Sequence, residues 1–203
     1  MTAWRREQGR DRFFRKAHEE GYRARSAYKL LEIVERNRLI RPGHVVLDLG
    51  AAPGSWSQVA AQLVLPKGRV VAVDIAEMAP LPGVVVLRCD ITSRECQTRM
   101  LEVLGGAADV VICDAAPSTT GVALADHARS IALAEAALEV ADTCLRPGGG
   151  FVSKVFRGAD FDAYLAAVRR AFTSAKVCVP EATRRESKEA YVVGLGKKSL
   201  PQR

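Results

Sequence analysis

Between residues 44 and 156 the chain alternates short apolar runs with longer helical stretches, and this alternation leaves few possible folds. HVVLDLG (44–50), RVVAVDI (69–75), VVVLRCD (84–90), DVVICD (109–114) and GFVSKVF (150–156) are six or seven residues each and rich in valine. Runs of that length, apolar without strict alternation, are the pattern of strands buried on both faces of a parallel sheet. SWSQVAAQLV (55–64), SRECQTRMLEVL (93–104), an Ala/Leu-rich stretch over 123–145 and FDAYLAAVRRAF (161–172) read as helices. Upstream, RSAYKLLEIVERNRL places Ala27, Leu30, Leu31 and Val34 near helical spacing, with Ser26 as N-cap, before Pro42-Gly43 breaks the chain. AKVCVP (175–180) and EAYVVGLG (189–196) follow one another with no helix between, which predicts an antiparallel pair. The expectation is a doubly wound α/β fold: a mostly parallel seven-stranded sheet with an antiparallel edge strand, in one domain over residues 1–203.

In such a sheet ligands bind beyond the carboxyl ends of the strands. Those ends carry Asp48 to Gly50, then Asp74, Asp90, Asp114 and Lys154. One aspartate there often caps a turn; five strands each bringing an ionisable group to one rim make a site. Lys154 is the sharpest case, because Phe151, Val152, Val155 and Phe156 surround it in sequence. An unpaired ammonium in such a run costs several kcal/mol. It must therefore stand at the strand's end with partners, or snorkel from an edge strand.

The first turn, DLGAAPGSW, spaces Gly50 and Gly54 as G-x-x-x-G and lacks both G-x-G-x-x-G and the G-K-[ST] of a phosphate loop. Without the second glycine a pyrophosphate has a poor seat. Asp74, 24 residues beyond Gly50, stands near the spacing at which an acid takes a ribose diol. Together these point to an adenosine ligand without pyrophosphate, S-adenosylmethionine, held by Asp48, Gly50, Pro53, Gly54, Trp56, Asp74, Asp90 and Asp114. The plain alternatives are turn capping for Asp74 and Asp90 and a core position for Trp56. DAAPSTTG (114–121) is a small-residue loop through which a substrate could approach that ligand closely.

Charge indicates the partner. Residues 1–41 hold 12 Lys/Arg against 6 Asp/Glu, residues 42–175 hold 11 against 14, and residues 176–203 hold 7 against 3. Basic ends around a slightly acidic middle favour a polyanion. Residues 1–25 read as a basic RNA-binding extension, in which Arg5, Arg6, Arg10, Arg12, Arg15 and Lys16 alternate with Trp4, Phe13, Phe14 and Tyr22. Arg184, Arg185 and Lys188 would flank the site from the other side. The acids Glu7, Asp11, Glu19 and Glu20 argue against a targeting leader. No apolar run approaches the roughly 20 residues of a membrane span. The five cysteines form no C-x-x-C pair, and Cys89, Cys113 and Cys178 lie in β-like apolar runs and read as small hydrophobes. Neither zinc nor a disulfide framework is therefore expected, no metal site is assigned, and a reducing cytoplasm is the expected compartment.

DLGAAPGSWSQ, DAAP…TG, SKVFRGADFDAYL and SKEAYVVGLG, in this order, resemble the FtsJ/RrmJ family of ribosomal RNA ribose 2′-O-methyltransferases over Arg23 to Gly196. The resemblance implies a Rossmann-like methyltransferase using S-adenosylmethionine, with a catalytic Lys-Asp-Lys-Glu tetrad matched here by Lys29, Asp114, Lys154 and Glu189. It implies a uridine of large-subunit ribosomal RNA as target. Transfer-RNA ribose methyltransferases share the tetrad, and a silent RNA-binding assembly factor could share the fold. Departures are Ser55 where the family has a second glycine, Ala115 in place of methionine, and Ser118 or Thr119 where an asparagine is common. A lysine is a base only when neutral, against a reference pKa of about 10.4. Cations nearby lower that value and carboxylates raise it, so Lys154 is either the base or a cation orienting the hydroxyl. A monomer is expected, since a bulky RNA must reach the rim.

Overall fold

The computed structural model describes residues 12–117, 120–184 and 186–199. Trp4, Arg5, Arg6, Arg10, Ser118, Thr119 and Arg185 lie outside them. The chain runs α1 (Arg12–Glu19), α2 (Ala27–Asn37), β1 (Val45–Leu49), α3 (Ser55–Val64), β2 (Arg69–Asp74), β3 (Val84–Arg88), α4 (Arg94–Leu104), β4 (Ala108–Cys113), α5 (Ala123–Cys144), β5 (Leu145–Phe156), α6 (Phe161–Ala171), β6 (Phe172–Cys178) and β7 (Glu189–Lys197). The strands form one seven-stranded sheet in the order β3-β2-β1-β4-β5-β7-β6. β1 to β5 pair in parallel. The antiparallel edge is made by insertion: β7 lies between β5 and β6 and runs antiparallel to both. Its register sets Tyr191 opposite Lys154 and Glu189 opposite Phe156.

Side chains alternate across each strand, and the two sheet faces build separate cores. Leu47, Leu49, Val71, Val73, Val111 and Phe151 pack on one face with Met100 and Leu104 of α4, Ala137 of α5 and Val168 of α6. Val46, Val70, Val110, Ile112 and Val152 pack on the other with Leu30 and Ile33 of α2 and Val59 of α3. Each of these fully buried Val, Leu, Ile, Phe and Met side chains contributes roughly 1.5–3 kcal/mol.

Several local features differ from the sequence reading. The stretch expected as a plain basic lead-in contains α1, which docks through Ala17 and Phe13 on Tyr22, Tyr28 and Ala182. Lys16 stands 4.8 Å from the Tyr28 ring centroid, and Arg12 pairs with Glu181. Ser26 precedes α2 but makes no capping hydrogen bond; its hydroxyl meets that of Ser55 at 2.8 Å. α5 stops at Cys144, and Lys197 Nζ donates to the carbonyls of Asp142 and Leu145 at its carboxyl end, where such groups have no helical partner. Cys89 and Cys96, expected as free thiols, are joined in a disulfide across the turn between β3 and α4, with Cα atoms 5.5 Å apart. Cys113, Cys144 and Cys178 are free and buried. No helix among the described residues is long and apolar enough to cross a membrane.

Candidate active site

The turn after β1 is built for close approach. Gly50 has φ +68°, and a Cβ there would stand 2.5 Å from that of Ala115 in the loop after β4. Only glycine satisfies both demands. The Gly50 and Ala51 amides donate to the Val73 carbonyl at 2.8 and 3.1 Å. Asp74, closing β2, accepts from the Ala52 amide at 2.9 Å and the Ala76 amide at 2.8 Å. Its carboxylate thus ties the first turn to the second. Arg23 adds a clamp, donating to the carbonyls of Pro53 at 2.9 Å, Ala79 at 2.7 Å and Pro80 at 2.8 Å.

Beyond these strand ends lies a cavity of about 900 Å³, near the upper end for small-molecule sites. Gly50, Ala52, Pro53 and Asp74 form one wall, and Cys89 to Thr92 a second. Asp114 to Pro117, Lys154 and the α5 residues Arg129, Ala132 and Leu133 complete it. Asp90 accepts from the Thr92 amide at 2.9 Å and the Thr92 hydroxyl at 2.8 Å, and these bonds hold its carboxyl below the usual range.

Of the eight residues expected to hold a cofactor, Gly50, Pro53, Asp74, Asp90 and Asp114 line this cavity, whereas Asp48, Gly54 and Trp56 do not. Asp48 is fully buried on the α3 face of β1, where the Ser57 hydroxyl donates to Oδ2 at 2.6 Å and Oδ1 has no partner. Burial pushes its carboxyl up to about 8; the Ser57 bond opposes that shift, and the charges of Asp114 and Asp74 add to it. Gly54, with φ +108°, sits under the Arg23 guanidinium as the residue before α3. Trp56 is buried, donates to the Ser26 carbonyl at 2.9 Å and packs on Tyr191 with ring centroids 5.7 Å apart.

The four residues matched to the tetrad come together from four elements. Lys154 Nζ donates to the Asp114 carbonyl at 2.6 Å and lies 3.2 Å from Asp114 Oδ1. Lys29, from α2, forms an ion pair with Glu189 at the start of β7, both side chains 12 % exposed. Between the two pairs stands Tyr191, which the sequence reading missed. Its hydroxyl donates to Asp114 Oδ1 at 2.8 Å and lies 3.5 Å from Glu189 Oε1. Burial, and then the Asp114 and Glu189 charges, hold that phenol well above its ordinary pKa, so it remains a donor. The one signal in sequence was spacing: Glu189 and Tyr191, two apart on a strand, share a face. The neighbouring acid Glu186 is not part of this network, and Ser55 in the first turn of α3 is buried against Ser26. Two lysines and two carboxylates, wired through one phenol beside the cavity that Asp114 and Lys154 line, can align a hydroxyl, and a lysine in its neutral amine form can receive its proton. His127 fastens the turn after β5, with Nδ1 3.1 Å from the Phe156 carbonyl and Nε2 accepting from the Asp160 amide at 3.2 Å.

The sheet order and the acid-rimmed cavity over its carboxyl edge define a Rossmann-like methyltransferase fold. A structure described as a ribosomal RNA methyltransferase of Plasmodium falciparum superposes with a TM-score of 0.78 at 23% identity, covering 88% of this chain and 100% of that one. Residues 22–197 match the model of the FtsJ-like methyltransferases, and the chain belongs to that family. It is 51% identical over 194 residues to ribosomal RNA large subunit methyltransferase E of Methanothrix thermoacetophila, covering 96% of this chain and 75% of the relative. It is 52% identical over 188 residues to the protein of the same name from Syntrophobacter fumaroxidans, covering 92% and 95%.

Proposed function

We propose that this methyltransferase transfers the methyl group of S-adenosylmethionine to the 2′-hydroxyl of a ribose, that of a uridine in large-subunit ribosomal RNA. The observation that carries this reading is the connected chain Lys154–Asp114–Tyr191–Glu189–Lys29 beside the cavity. The names of the 51%- and 52%-identical relatives support the choice of RNA.

The cavity's donor set fits that cofactor. Its charged lining is three acids, Asp74, Asp90 and Asp114, against two cations, Lys154 and Arg129. This excess of carboxylate suits ribose hydroxyls and a cationic sulfonium and disfavours a pyrophosphate. When bound, the cofactor supplies a methyl group already activated by its own positive charge. The protein's task is then the nucleophile. Lys154 Nζ, having first lost a proton to solvent, takes the proton of the 2′-hydroxyl as a neutral amine and returns to the ammonium paired with Asp114, which orients it. Lys29, steadied by Glu189, holds the target nucleotide. A positioned base contributes typically 10²–10⁴-fold, and near-attack alignment roughly 7–11 kcal/mol. Residues 1–25 with Arg184 and Lys188 grip the RNA backbone. The protein acts as a monomer in the cytoplasm, on RNA within the large subunit.

The test is transfer of labelled methyl from S-adenosylmethionine to large subunits, small subunits and transfer RNA from cells lacking the enzyme. Incorporation into a single ribose of the large subunit is the expected result. Incorporation into transfer RNA alone would move the target, and incorporation into a base would overturn the chemistry.

A further inference from the structure

The disulfide between Cys89 and Cys96 forms part of the cavity wall. Cys89 lines the cavity together with Asp90, Ile91 and Thr92. Cys96 is fully buried in the main core beside Met100 and Leu104. The bond therefore adds a covalent tie between the cavity's second wall and the core, beside the buried side chain of Ile91 and the two hydrogen bonds from Thr92 to Asp90. The Cys89 amide donates to the Asp74 carbonyl at 3.0 Å, the Ser93 amide to that of Asp90 at 3.0 Å, and the Cys96 amide to the Ser93 hydroxyl at 3.1 Å. Without the bond, the exposed residues Asp90 and Thr92 are held beside β3, the outermost strand, by the buried Ile91 between them and by hydrogen bonds alone.

We propose that Cys89 and Cys96 are a reversible thiol–disulfide pair that sets how tightly the adjoining cavity holds its cofactor. The coupling rests on the reading of that cavity as the S-adenosylmethionine site. The oxidant is a low-molecular-weight disulfide such as oxidised glutathione. Cys89 is the entry point, since Cys96 is inaccessible. Its thiol loses a proton and attacks one sulfur of the small disulfide, releasing one thiolate, which is protonated. Cys96, likewise deprotonated, then attacks the Cys89 sulfur and releases the second small thiol. Two protein thiols are oxidised by two electrons and one small disulfide is reduced to two thiols. The closed pair holds the wall in its binding conformation before ligand arrives, which removes an ordering cost from binding. Coupling of this kind is reciprocal: saturating cofactor raises the ratio of oxidised to reduced protein by the factor by which oxidation raises affinity. It also covers the wall through which a reductant reaches Cys89.

The experiment equilibrates the full-length protein in glutathione buffers from fully reduced to fully oxidised. Thiols are trapped by alkylation, and the bond is quantified by peptide mass spectrometry. The same samples are titrated with S-adenosylmethionine, beside Cys96→Ala. The expected result is one intramolecular Cys89–Cys96 bond on oxidation and cofactor binding tighter by roughly fivefold or more. Cys96→Ala binds as the reduced wild type in reducing buffer and, arrested at the Cys89–glutathione mixed disulfide, shows no tightening on oxidation. The wild-type comparison stands without that variant if it fails to fold. A pair that stays as thiols or glutathione adducts in the most oxidising buffer overturns the proposal, as does equal affinity in the two states. Binding in neither state overturns the cofactor reading, and the coupling with it.

Discussion

The Tyr191 hydroxyl lies 2.8 Å from Asp114 Oδ1 and 3.5 Å from Glu189 Oε1, and so joins two ion pairs that would otherwise be separate. Tyr191→Phe keeps the ring against Trp56 and removes that link. A net hydrogen bond is worth about 1 kcal/mol, so single-turnover methyl transfer should fall roughly fivefold with cofactor affinity unchanged. A loss of cofactor affinity instead would mean the phenol supports the cavity rather than the tetrad.

Lys29 pairs with Glu189 but does not line the cavity. Lys29→Ala should therefore reduce transfer roughly 10- to 100-fold, the range for lost hydrogen bonds to charged groups. Calorimetry with S-adenosylmethionine should show unchanged affinity. A parallel loss of cofactor binding would place Lys29 in the cofactor site.

Asp48 should imprint a pH dependence on stability. Its carboxyl titrates at about 8 in the folded protein against an ordinary 3.8. Between these values the folded state holds a proton that the unfolded state has lost, so stability falls as pH rises through the window and levels off above it. The slope is at most about 1.4 kcal/mol per pH unit for one group. Asp48→Asn can still accept from Ser57 and has no such slope. Urea denaturation near pH 5 and near pH 8 should show the variant gaining on the wild type at the higher pH; a constant difference would contradict the raised value.

The strands and their acidic ends were legible because length, valine content and period are local properties of the chain. What stayed hidden depends on partners far away in sequence. Tyr191 reads as one more apolar residue of EAYVVGLG until β7 is inserted against β5 and brings it opposite Lys154. Asp48 sits at a strand end as expected, but Val46 and Asp48 share the face that α3 covers, so its carboxylate meets Ser57 and not the cavity. The Cys89–Cys96 bond follows from a turn whose geometry no spacing rule encodes. α1 was missed because its hydrophobic content is two phenylalanines and one buried alanine among charges, and its stability comes from docking on Tyr28.

Arg15 and Lys16 lie on α1 within the basic segment, Lys16 3.7 Å from Glu20. If α1 grips phosphates, replacing both with alanine weakens RNA binding and flattens its salt dependence. Each lost phosphate contact on a single strand removes roughly 0.7 from the slope of log affinity against log salt. Filter binding over a salt series reads this directly, and an unchanged slope would remove α1 from the RNA interface.

In the proposed reaction Lys154 Nζ takes the proton of a ribose hydroxyl. The most direct measurement is single-turnover methyl transfer to unmodified large subunits by wild type, Lys154→Ala and Lys154→Arg at saturating S-adenosylmethionine. Arginine keeps the positive charge and cannot act as a base at neutral pH. Both variants should lose at least about 100-fold, the lower range for a positioned base, while still binding cofactor. Transfer by Lys154→Arg within a few-fold of wild type would contradict the account and make Lys154 a cation that only orients the hydroxyl.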